Sequence, residues 1–130
     1  MTIDEHINYW LESAENDLNA ASNMMVSKNY DWALFLGHLV LEKTLKAIYV
    51  KECNNEVPPK LHNLIRLKEL SSVSLNENYA RFLVEANKFH IESRYPQYKQ
   101  EFYKLCTSEY AHEKFKMINE VYQCLKLILK

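Results

Sequence analysis

Glycine is almost missing from this chain: one residue in 130, beside only three prolines. Sheets with many tight turns need more of both, since glycine reaches positive φ cheaply and proline presets turn geometry. The expected fold class is therefore all-α. Cysteine is sparse as well. Cys53, Cys106 and Cys124 are scattered, odd in number and form no CxxC pair, which suits a reducing compartment better than a disulfide scaffold. The five histidines include no HExxH and no Cys/His pairing, so neither a metal nor another cofactor is expected. The opening MTIDEH lacks a basic start followed by an apolar run, so no signal peptide is read. The apolar run within 32–41 is too short to span a bilayer and ends at Glu42 and Lys43. A cytoplasmic protein without a membrane partner is expected.

Excess positive charge is also lacking. A net charge of −1 argues against a strong nonspecific hold on nucleic acid. Residues 1–27 carry Asp4, Glu5, Glu12, Glu15 and Asp17 and neither lysine nor arginine. That segregation suits packing beside a basic helix, a basic partner, or simply a solvated acidic face.

What the chain does have is helical periodicity. Thr2 and Glu5 form a capping box, and Ile7, Trp10, Leu11, Ala14, Leu18, Ala21 and Met25 follow at helical spacing. After a short break at Lys28-Asn29, the stretch Tyr30–Glu52 is apolar around most of its girth, as befits the central helix of a bundle. The short connection makes these two helices an antiparallel hairpin. Val57-Pro58-Pro59 stops the second helix, and a short helix is expected over Leu61–Leu70. Ser74 with Glu77 reads as a second capping box, opening a helix through Tyr79, Phe82, Leu83, Ala86 and Phe89 or His90. The segment ESRYPQYKQ, from Glu92 to Gln100, reads as a loop around its proline. A final helix carries Ala111, Phe115, Ile118, Tyr122, Leu125 and Leu129. The expectation is an up-down bundle of four long helices plus one short helix, a single domain over 1–130.

The order of short patterns resembles one family. Trp10 with Ala14-x-x-Asp17-Leu18-x-x-Ala21, Tyr30-x-x-Ala33-x-Phe35 and Leu41-Glu42-Lys43-x-Leu45-Lys46-Ala47 come first. Pro59-x-x-His62-x-Leu64-x-x-Leu67 and Arg94-Tyr95-Pro96 follow. Together they are similar to the HEPN domain over nearly the whole chain. The resemblance implies a helical bundle that commonly forms a homodimer. It also implies a nucleotidyltransferase partner, in a toxin–antitoxin-type pair. Active members are metal-independent ribonucleases with an arginine followed four to six residues later by a histidine, and others bind nucleotide, RNA or partners. Here no histidine follows Arg66, Arg81 or Arg94 at that spacing, and the nearest match, Thr107 to His112, has threonine in the arginine position. Threonine cannot supply the fixed cation that strand cleavage requires.

The candidate ligand-binding residues are His38, Glu42, Lys43, Lys46, His62, Arg94 and Tyr95. His38, Glu42 and Lys46 lie four apart along one helix side, as a site or as an ordinary ion pair beside a core histidine. His62, just after the prolines, is a helix-capping or packing residue or part of that seam. Arg94 offers a guanidinium fork to a phosphate, with Tyr95 to stack on a base; pairing with Asp17 is the plainer alternative. A ribonuclease would instead use Arg94 with His112 or His90 brought close in space. Nine tyrosines exceed the need of a bundle core, so some are expected at an interface. The expected function is a noncatalytic binding module, with a divergent ribonuclease or a purely structural protein as alternatives.

Overall fold

A computed structural model describes the backbone of all 130 residues and every side chain except those of Glu92 and Ser93. Among the described residues it is all-α: α1 (Ile3–Val26), α2 (Tyr30–Glu52), α3 (Leu64–Leu70), α4 (Glu77–Arg94), α5 (Pro96–Leu105) and α6 (Ser108–Ile128). The Thr2–Glu5 capping box is formed in both directions and opens α1. Lys28 takes a left-handed turn, φ 65°, to start the return into α2. At the far end Asn54 and Asn55 also have positive φ, a conformation asparagine tolerates better than most residues. The Asn55 side chain then donates to the Met1 carbonyl and accepts from His6 Nδ1, tying the exit of α2 to the start of α1.

The second helix is the axis of the bundle and touches α1, α3, α4, α5 and α6. Leu34, Val40, Leu41, Leu45 and Ile48 are wholly buried on it, each worth roughly 1.5–3 kcal/mol of transfer free energy. They meet Leu64 and Leu67 of α3, Leu83 and Phe89 of α4, and Ile118 and Leu125 of α6 in one continuous core. Gly37 lets α6 approach: a Cβ there would overlap Ile118 Cδ1.

Three sequence expectations are corrected. First, six helices replace the expected five, because Pro96 begins α5 instead of sitting in a loop. Proline fits the first helical position, where its missing N–H would have had no partner. Second, α4 is capped by Asn76, whose side chain accepts from the Tyr79 N–H; the expected Ser74–Glu77 capping box does not form. Third, α3 starts at Leu64 and not Leu61, with Asn63 as its cap. No helix among the described residues is long and apolar enough to cross a membrane.

Candidate functional site

The polar seam of α2 is buried, and the rest of the site grows from it. Glu42, 4% exposed, sits in the middle turn of the central helix. Its Oε2 accepts from Lys46 Nζ at 3.1 Å, one turn on. Its Oε1 accepts from His62 Nδ1 at 2.9 Å. A buried carboxylate needs such compensation, since desolvation alone would expel it. Lys46 also lies 5.3 Å from the centroid of the Trp10 ring.

His38, one turn before Glu42, is completely buried. Its Nε2 bonds the His62 carbonyl at 2.9 Å; a carbonyl only accepts, so Nε2 carries the proton. Nδ1 is then a bare lone pair with no hydrogen-bond partner, 3.9 Å from Glu42 Oε1. Burial pushes the His38 imidazole down to about 4, against the pull of Glu42, so the ring is neutral at ordinary pH. Residues 38 and 42 thereby hold His62 twice, by its backbone and by its ring. That double hold explains why a residue outside any helix is well placed.

His62 is about half exposed at its side chain and stacks on His90 of α4, ring centroids 4.4 Å apart at 24°. With Nδ1 committed to Glu42, Nε2 is its free edge. His90 in turn accepts from Arg94 Nη1 at 3.3 Å through Nε2. Burial, then the neighbouring His62 and Arg94, lower the His90 pKa. The result is a row, Glu42–His62–His90–Arg94, that runs from a buried carboxylate to an exposed guanidinium. A hollow of about 150 Å³ opens beside it, lined by His62, Asn63, Asn87, His90 and Ile91. Asn87 steadies its floor by accepting from the Leu64 N–H and donating to Asn63. Chemically, the row offers cationic and neutral donors to an anion and an imidazole able to exchange a proton.

The sequence-predicted residues separate accordingly. His38, Glu42, Lys46, His62 and Arg94 come together in or beside the row. Lys43 does not: it turns to α1, where Nζ pairs with Asp17 at 2.7 Å and donates to Ser13. That pairing also removes Asp17 as the partner of Arg94, whose fork meets His90 instead. Tyr95 is exposed between α4 and α5. His62 does not cap α3; Asn63 does. His112 bonds the Ser108 carbonyl of its own helix at 2.7 Å and packs edge-on against Tyr30, while Thr107 caps α6. Asn63 and Asn87 join the site without a sequence signal, because theirs is tertiary. His90 and Arg94 are four apart on α4, a spacing visible only once that helix is carried through to Arg94. No group of three or more metal-ligating side chains occurs among the described residues.

Comparison with known proteins follows the same lines. Residues 7–128 match the family described as HEPN domain. Comparison with curated proteins returns no match. Among solved structures, TT1696 from Thermus thermophilus superposes with a TM-score of 0.76 at 20% identity, over 92% of this chain and 95% of that one. ST0689, an archaeal HEPN homologue, superposes with a TM-score of 0.72 at 23% identity, over 95% and 98% of the two chains. At these identities the likeness is one of fold. The family match across residues 7–128, on a bundle shared with an archaeal HEPN homologue, shows that the chain belongs to the HEPN domain family.

Proposed function

We propose that this protein is a noncatalytic HEPN module, one domain over 1–130, that binds a nucleotide through the histidine–arginine row. The observation that carries the proposal is the arrangement Glu42–His62–His90–Arg94 beside an open hollow. A carboxylate-held imidazole and an exposed guanidinium are suited to the oxygens of a phosphate group. In this reading the module works as a homodimer in the cytoplasm beside a nucleotidyltransferase, in a toxin–antitoxin-type pair. The exposed rings of Tyr95 and Tyr98 on and next to α5 support an interface there. Titrating the protein with adenosine monophosphate by calorimetry tests the binding. Arg94→Ala and His62→Ala should each weaken it about tenfold, one charge-assisted hydrogen bond's worth. Absence of heat with the native chain would overturn the proposal.

One contact favours a second reading, a metal-independent ribonuclease. Arg94 and His90 meet at 3.3 Å, though in the reverse order along the chain from the family's arginine-then-histidine pattern. RNA cleavage by the purified protein, lost in both Arg94→Ala and His90→Ala, would establish it. Intact RNA with measurable nucleotide binding supports the binding module.

A further inference from the structure

Beyond Arg94 lies a feature the histidine row does not use. Asp31, in the first turn of α2, is 4% exposed, and among the described residues its carboxyl group has no hydrogen-bond or ion-pair partner. Its oxygens are not among the buried polar atoms left without a partner, so the carboxyl group faces the hollows it lines and not a sealed interior. The N-terminus of α2 favours a negative charge at this position and keeps it available. Asp31 lines two neighbouring hollows. One, of about 430 Å³, also has Arg94, Lys99 and Tyr103 in its wall. The other, of about 290 Å³, has Lys28, Tyr30, Tyr103 and Lys104. Asp31 and Tyr103 thus stand where the two hollows meet, an acceptor and a ring with cations on either side.

We infer that Asp31 reads the ribose hydroxyls of a bound ribonucleotide and sets its preference over the deoxy form. The inference rests on the nucleotide-binding reading of Arg94 and deepens it. The phosphate stays at the Arg94 end of the histidine row, and Lys99 in the wall of the larger hollow lies on the side toward Asp31. The sugar diol donates to the Asp31 carboxyl group, the same chemistry by which an acidic residue reads a ribose in dinucleotide-binding sites. The base enters the smaller hollow against the rings of Tyr30 and Tyr103. A carboxylate accepts but does not donate, so it discriminates for the diol and keeps only one of its two donors when the 2′-hydroxyl is absent. Hollows of this size accommodate one nucleotide.

The test is a pair of calorimetric titrations of the full chain, with adenosine monophosphate and with its 2′-deoxy analogue. The native protein should prefer the ribonucleotide by about tenfold, the worth of one hydrogen bond to a charged group. Asp31→Ala should bind both ligands equally and no tighter than the native chain binds the deoxy analogue, and Asp31→Asn should narrow the preference without disturbing packing. Both variants should stay folded and melt only slightly below the native chain, by the small contribution of a negative charge at the N-terminus of α2. Arg94→Ala should weaken both ligands equally and keep their ratio. Equal binding of both ligands by the native chain, or a preference retained in both Asp31 variants, overturns the inference while nucleotide binding stands. No binding of either ligand overturns the nucleotide reading itself, and this inference with it.

Discussion

Glu42 is the residue on which the site depends, because both of its oxygens hold a neighbour that has few alternatives. Lys46 is 6% exposed and has Glu42 as its ion-pair partner. Removing one member of a buried pair leaves the other charge uncompensated, at a cost of roughly 3–5 kcal/mol. Glu42→Gln should therefore lower unfolding free energy by about that amount in urea titrations, and Glu42→Gln with Lys46→Met should recover most of it. A protein indifferent to the single substitution would show that Lys46 is solvated in solution. His38 supplies a pH dependence of definite sign. Its folded-state value of about 4 lies below the ordinary 6.5, so between those values the unfolded chain binds a proton that the folded chain refuses. Stability is complete above about pH 6.5 and falls as the pH drops toward 4, by about 3 kcal/mol in total. The lowered pKa of His90 acts in the same direction. His38→Gln keeps a donor for the His62 carbonyl and removes the titrating ring. Its stability should vary less over that window, as followed by chemical denaturation at stepped pH.

Among the elements, α2 is the most legible in the sequence and α5 the least. Tyr30–Glu52 is apolar around most of its girth, with its charges confined to the His38–Glu42–Lys46 seam, to Lys43 and to the two ends, and a pattern that long points to a buried helix. The seam residues are also readable, since i, i+4 spacing follows from helix geometry alone. Their connection to His62 is not, because it depends on how a loop of about ten residues folds back onto the helix. Helix α5 is hidden because its proline reads as a breaker where it serves as a first helical residue. Lys43 shows the opposite failure. Adjacent in sequence to Glu42, it points about 100° away around the helix and joins α1 instead. The α2–α6 contact sets a further expectation. Gly37→Ala would gain about 1 kcal/mol of helix propensity, yet the added methyl overlaps Ile118, a fully buried side chain. Overpacking costs about 1–3 kcal/mol, so it outweighs propensity and the variant should melt lower. Gly37→Ala combined with Ile118→Val should melt higher than Gly37→Ala alone.

At the scale of the molecule, the HEPN bundle divides its labour between an apolar interior and one polar row that emerges between α2, α4 and the segment joining α2 to α3. That segment, residues 53–63, has no helix of its own. Its hold on the bundle includes the bonds from His38 to the His62 carbonyl and from His62 to Glu42. A backbone held this way opens locally at lower cost than a helical core. Its amides should exchange with deuterium far sooner than those of α2, and nucleotide at the row should slow them selectively. Unchanged exchange there on saturation would separate the row from the ligand. Two side-chain bonds from one turn of a rigid helix thus make the segment a latch: a ligand at the row should be recorded as a change in how long a loop stays closed.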